Sequence, residues 1–230
     1  MFTRRRWELA DVEVDEIVRL TGVSTGAQVL DLCCGPGRHA LAFGAKGFRV
    51  TGVDRTESYI AAANEKAAKL DADLTFLVGD ARKYRKPDYY DLAVCLYTSF
   101  GYFETVEEDN LLLGNMCECL KAGCAFVLDI NGKEVAQRVF KENWFEDFEE
   151  GFAVSEVRRV GPGWDWIENK WTVNRDGLEK SASFRVRMYS GDDLSKSLLA
   201  AGFDSVELFG DWSGMPYNDQ ARRLIAVARK

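Results

Sequence analysis

The chain has 230 residues, 47% of them hydrophobic, with a formal net charge of −7 and a pI near 5.0. An acidic chain of ordinary globular composition argues against collagen, disorder and a protein that grips phosphodiester backbones, which needs a basic face. It has no run of about 18 apolar residues that would span a membrane, and its arginine-rich start lacks the apolar centre of a secretory signal, so a soluble cytoplasmic protein without nucleic-acid or membrane partners is expected.

Taken in order, residues 7–20 set Trp7, Ala10, Val14 and Ile17 at helical spacing, and TGVSTG (21–26) breaks that helix. Strands and helices then alternate. Strands are expected at 28–32, 48–54, 74–80, 90–97 and 124–130, and helices at 37–46, 57–70 and 106–120. Thr105 and Glu108 have the spacing of a capping box at the start of the last helix, and Gly123 follows its end. Strands that are almost continuously apolar imply a mostly parallel sheet buried on both faces.

From 131 to 189 the pattern turns aromatic and alternating. Phe184, Val186 and Met188 interleave with Ser183, Arg185 and Arg187, a period of two. Residues 152–160 and 164–174 also read as strands, with turns at GPG and NRDG. A helix at 191–201 and strands at 204–210 and 222–230 complete the chain. The six cysteines (33, 34, 95, 117, 119 and 124) sit mostly in apolar runs and lack a familiar zinc spacing, so they read as reduced core filler and no metal is expected.

The loop Cys33-Cys34-Gly35-Pro36-Gly37 joins a buried strand to a helix N-terminus, where glycine lets backbone approach a ligand and free N–H groups can hold an anion. Asp31 precedes the loop, Asp54 ends the next strand and Asp80 follows the one after. An acidic residue at position 31 would repel a dinucleotide pyrophosphate but attract an ammonium. Carboxylates at three consecutive strand ends, which line the ligand crevice of an open α/β sheet, suit a ligand with an ammonium, a ribose and an adenine.

With VLDLCCGPGRHA, TGVD, FLVGDAR, DLAVCLYTSFGYF and LKAG in that order, the chain resembles the class I S-adenosylmethionine-dependent methyltransferases, closely over 28–130 and more loosely beyond. TSFGYF resembles a bacterial subgroup of them. The resemblance implies a Rossmann-like, doubly wound α/β fold: a seven-stranded sheet with an antiparallel last strand, formed by 1–130 and 190–230. An antiparallel β insertion at 131–189 would serve as cap or dimer interface in a monomer or homodimer. It also implies S-adenosylmethionine as cofactor, with Gly35 and Gly37 beside its methionine part and Asp31 beneath. Asp54 would take the ribose hydroxyls, with Arg55 beside the adenine. Asp80 and the Ala81 amide would meet the adenine, and Leu96 and Tyr97 would form the floor at the methyl-donating end.

A small-molecule N or O acceptor is expected, because the loop after the fourth strand lacks an Asn/Asp-Pro-Pro-Tyr pattern and no proline precedes a cysteine. Asp129 and Asn131 find no third partner for a hard cation. Tyr97 and Tyr102 are the candidates to orient the acceptor, with Phe103 beside them and Trp144, Trp164, Trp166 and Trp171 capping the crevice or building the interface. Arg185 or Arg187 would face an acidic acceptor. His39, the only histidine, reads as packing under the glycine loop. A nicotinamide-dependent oxidoreductase, transfer of another group from the same cofactor, and a non-catalytic S-adenosylmethionine-binding protein are the rival readings.

Overall fold

The computed structural model describes residues 3–230. Five strands are interleaved with helices, except that β4 follows β3 without one: α1 (Arg4–Thr21), β1 (Gln28–Leu32), α2 (Arg38–Ala45), β2 (Arg49–Asp54), α3 (Glu57–Ala67), β3 (Leu74–Val78), β4 (Tyr90–Cys95), α4 (Val106–Cys119) and β5 (Leu120–Ile130). They form parallel pairs, β1 between β2 and β4, with β3 beyond β2 and β5 beyond β4. The sheet is completed by β10 (Ser205–Phe209) and β11 (Leu224–Arg229), β11 running antiparallel to both β5 and β10. The order β10-β11-β5-β4-β1-β2-β3 reverses direction at β1 and β4, the kind of switch point where such sheets open a crevice.

Burial explains why the middle strands are apolar throughout. Val29, Leu30 and Leu32 on β1 are fully buried, as are Leu92, Ala93 and Val94 on β4, and the two sheet faces belong to two separate apolar clusters. Each such Leu or Val contributes roughly 1.5–3 kcal/mol by leaving water, so Leu30→Ala should cost about 2–5 kcal/mol. Helix α1 buries Ala10, Val14 and Ile17 and packs on α2, as its periodicity predicts. The Thr105–Glu108 capping box forms at the head of α4.

Between β5 and the last helix, α6 (Gly191–Ala200), lie α5 (Lys133–Val139) and an antiparallel sheet of β6 (Asn143–Phe148), β7 (Phe152–Val160), β8 (Trp166–Arg175) and β9 (Leu178–Arg187). Helix α5 and strand β6 have no counterpart among the sequence expectations. The helix is too short to display a period, and β6 is an edge strand that carries Glu146, Asp147 and an exposed Phe145, so no apolar run marks it. No helix among the described residues is long and apolar enough to cross a membrane.

Candidate active site

The parallel strands deliver their C-terminal ends to one side of the sheet, and a cavity of ≈ 530 Å³ opens there. Its walls come from the loops after β1 to β4, the N-terminal helix through Arg6, and the small sheet through Trp171 and Phe184. Asp31, Gly35, Asp54, Arg55, Asp80, Ala81, Leu96, Tyr97 and Tyr102 all line it. Gly37 does not. Its φ of +80° and the Phe76 ring, which a Cβ would meet at 2.9 Å, require a glycine at the head of α2.

The three carboxylates differ in their surroundings. Asp31 is buried and accepts one hydrogen bond at Oδ2, from the Ala40 amide at 3.1 Å. Burial pushes its carboxyl up to about 6, against the pull of His39 and Arg38. Asp54 bridges two turns: Oδ2 accepts from the Gly35 amide and Oδ1 from the Thr56 amide, both at 2.9 Å, which fastens the glycine loop to the end of β2. Each of its oxygens keeps a lone pair for a ligand. Asp80 is clasped by Arg82, whose Nη2 lies 2.6 Å from Oδ2 and whose Nε and backbone N–H lie 3.0 and 2.9 Å from Oδ1. That clasp holds the carboxyl down at about 2, and the other end of Arg82 reaches Glu108.

At the end of β4 the backbone takes two consecutive positive φ values on residues with side chains, +63° at Tyr97 and +58° at Thr98. Such strain, of order 1–3 kcal/mol per residue, persists only where the surroundings enforce it. Here a buried carboxylate does so. Asp129, at the end of β5, accepts from the Tyr97 amide at 2.9 Å and from Arg223 Nε at 2.7 Å, and Arg223 Nη2 reaches the Thr98 hydroxyl at 3.0 Å. The guanidinium groups of Arg38 and Arg6 lie 4.4 and 4.7 Å from the centre of the Tyr97 ring. Arg38 has Glu13 as counter-charge, whereas Arg6 has no carboxylate partner among the described residues.

The loop 99–103 is fixed from the small sheet. Arg187 N–H donates to Gly101 O at 2.7 Å, and a Cβ on Gly101 would lie 2.7 Å from Arg187 O. Arg187 also pairs with the buried Asp109 of α4 at 2.5 Å. Neither Arg187 nor Arg185 lines the cavity, since Arg185 lies over Trp166 and near Glu168. Both therefore serve the frame, contrary to the expectation that one faces an acidic acceptor. Of the four tryptophans expected at the crevice only Trp171 lines it, while Trp164 packs on Phe140. His39 contacts Glu13 Oε2 at 2.7 Å from within the wall. Burial raises the Tyr102 phenol, with Glu156 pushing the same way and Arg223 opposing.

Arg6, Arg38, Phe184 and the Asp129–Arg223 pair were not legible as site residues. Arg6 stands in a short arginine run that reads as surface charge, Arg38 carries no motif role, and Arg223 lies 94 positions from Asp129. The one signal was the odd acid at the end of an apolar strand, Asp129.

Residues 29–123 match the sequence model of a family described as a methyltransferase domain. Over 158 residues, 68% of this chain and 57% of the relative, the sequence is 27% identical to the dTDP-4-amino-2,3,4,6-tetradeoxy-D-glucose N,N-dimethyltransferase of Saccharopolyspora spinosa. The fold resembles the CcbJ methyltransferase of Streptomyces caelestis, with a TM-score of 0.83 at 20% identity, covering 96% of this chain and 89% of that one. It also resembles S-adenosylmethionine-bound CalS10, an amino pentose methyltransferase from Micromonospora echinaspora, with a TM-score of 0.70 at 23% identity over 98% of this chain and 92% of that one.

Proposed function

We propose that this chain, a class I S-adenosylmethionine-dependent methyltransferase, methylates a nitrogen or oxygen of a small polar molecule held between the end of β4 and the small sheet. The observation that carries this reading is the arrangement of Asp31, Asp54 and Asp80 around one cavity whose far wall is aromatic. The donor set fits the cofactor. Asp31, with one hydrogen bond in a buried setting, suits an ammonium. Asp54 retains lone pairs for two hydroxyls, and Gly35 keeps the loop close to it. Asp80 stands at the adenine end with the Ala81 amide and Arg55 alongside, and an adenine amino group would share its carboxylate with the Arg82 clasp. Arg6, which has no carboxylate partner among the described residues, is available to a carboxylate.

The bound cofactor supplies a methyl group on a sulfonium, the reactive element of the chemistry. The residues of the chain align and exclude water. Alignment of this kind contributes roughly 7–11 kcal/mol to lowering a barrier. Tyr97, locked by Asp129 and Arg223, is a floor that cannot drift, and Leu96 beside it is buried. Tyr102, whose phenol is pushed above its ordinary range, stays protonated at neutral pH and orients the acceptor as a hydrogen-bond donor or acceptor. In this reading residues 131–189 cap the cofactor domain formed by 1–130 and 190–230, and the enzyme works in the cytoplasm as a monomer or homodimer. Amino-sugar methylation by the Saccharopolyspora and Micromonospora proteins supports an acceptor of that size and polarity.

Calorimetric titration with S-adenosylmethionine, its demethylated product and NAD(H) tests the cofactor roles, followed by an acceptor panel. Micromolar binding of the first two without NAD(H), and turnover on small amines or hydroxyl compounds, is expected. Binding of NAD(H) alone would favour the oxidoreductase reading.

A further inference from the structure

The small sheet turns an unusual face to the cavity. In its register, Trp144 on β6, Glu156 on β7 and Trp171 on β8 stand side by side in one row, and Arg158, Asn169 and Phe184 form the next. Side chains alternate across a strand, so Glu156 shares the face of Trp171, which lines the cavity. Its neighbour Val157, on the opposite face, is 40% exposed, whereas Glu156 is only 5% exposed. A carboxylate buried there costs several kcal/mol unless it is well paired. Its side chain meets Arg158 at Oε2, and Oε1 has no hydrogen bond among the described residues. Beside it the indole N–H of Trp171 is buried without an acceptor. A buried polar atom left over in this way calls for an explanation, a missing ligand being one. In front stand aromatic rings in contact, Trp171 edge-on to Phe184 at 5.2 Å and Phe184 tilted against Tyr102 at 5.8 Å.

We propose that this face is the acceptor subsite and takes up an amine as its ammonium, with Glu156 as counter-charge and Tyr102, Phe184 and Trp171 as the aromatic walls; before transfer the ammonium gives one proton to Glu156, which frees the nitrogen lone pair to take the methyl group. Aromatic faces attract cations, the more strongly as water is removed. A buried carboxylate behind them adds the charge that a neutral hydroxyl acceptor would not use. The charged groups facing Glu156 and Tyr102 are Arg158, on the same strand, and Arg223, from the segment before β11, which anchors the β4 floor. Glu156 shares its sheet face with Trp171, which meets Phe184 and through it Tyr102, and this places the carboxylate on the cavity side rather than the outer face of the sheet. The proposal rests on the acceptor lying at this end of the cavity, and it narrows nitrogen or oxygen to nitrogen.

The test uses the full chain saturated with the demethylated product and labelled with ¹⁵N at its indoles. Propylammonium and 1-propanol, a charged and a neutral probe of like shape, are each titrated to about 100 mM, where contacts as weak as millimolar fill. Trp171→Phe assigns the resonance. A saturable shift of the Trp171 indole signal is expected with propylammonium, at least tenfold weaker with 1-propanol, and lost in Glu156→Gln. Phe184→Leu, which keeps the carboxylate, should weaken the amine severalfold and serves if the glutamine variant does not fold. A flat propylammonium titration, an equal response to 1-propanol, or an unchanged response in the folded glutamine variant overturns the proposal. Product affinity by calorimetry separates the two readings: intact product binding with a flat amine titration removes the ammonium subsite alone, and lost product binding removes the cofactor reading beneath it.

Discussion

The two halves of the cavity are built differently. On the cofactor side Asp31, Gly35, Asp54, Asp80 and Ala81 come from three successive strand ends within about fifty residues, and much of their bonding is to backbone amides, as with Gly35 and Thr56 on Asp54 or Ala40 on Asp31. On the acceptor side the parts arrive from Arg6, the β4 loop, the small sheet and the segment before β11, held by side chain to side chain contacts such as Arg223 to Thr98 across 125 positions. Backbone-borne sites follow from the sheet itself. Side-chain-borne sites depend on individual residues whose partners lie far away in sequence, so a single substitution should do more structural damage on the acceptor side and more binding damage on the cofactor side.

The largest effect should come from Arg223→Met. It leaves Asp129, only 1% exposed, without its cationic partner and frees the strained Tyr97–Thr98 turn. Removing one member of a buried pair costs about 3–5 kcal/mol. Since about a quarter of the Arg223 side chain is exposed, about 3 kcal/mol is expected, read as a drop in unfolding midpoint in denaturant. A variant as stable as the parent would show that the clamp contributes little and that the turn is fixed by other contacts.

Asp54→Ala sharpens the other half. Losing charge-assisted hydrogen bonds to ribose hydroxyls should weaken product binding by about 1.5–3 kcal/mol, roughly ten- to a hundredfold by calorimetry. The glycine loop loses its tie to β2 as well, so the upper end is expected. Unchanged affinity in a folded variant would contradict the assignment of Asp54.

The same contrast accounts for what could be read in advance. The strands, their alternation with helices, the α4 capping box and the carboxylates at the cavity were legible, because a buried parallel strand must be apolar and a polar residue at its end stands out. Strand β6 was not legible, because an edge strand with an exposed face carries no apolar run. Gly37 matched a motif, yet the Phe76 ring claims the space beside it, a contact that spacing along the chain cannot display. Arg187, expected with Arg185 to face an acidic acceptor, is instead set against Asp109 by the fold, a pairing across 78 positions.

The smallest expected effect probes Asp31, where burial and ligand charge oppose each other. In the free protein its carboxyl titrates near pH 6, pushed up from 3.8 by burial. The folded state therefore holds that proton more tightly than the unfolded chain. Ionisation opposes folding, and stability from this group falls as pH rises from about 4 to about 6, by up to about 1.4 kcal/mol per pH unit within that window. An ammonium beside the carboxylate favours its ionised form, so ligand binding should expel the proton wherever it is still bound. Product affinity should then be level above pH 6 and fall by up to tenfold per pH unit below it. The release should appear as a buffer-dependent binding enthalpy at pH 5.5 that vanishes at pH 8. Affinity that stays flat from pH 5 to 7 would mean that Asp31 meets no cation. The charge logic of the cofactor half would then rest on Asp54 and Asp80, and its backbone-borne bonds would matter more than its buried charge.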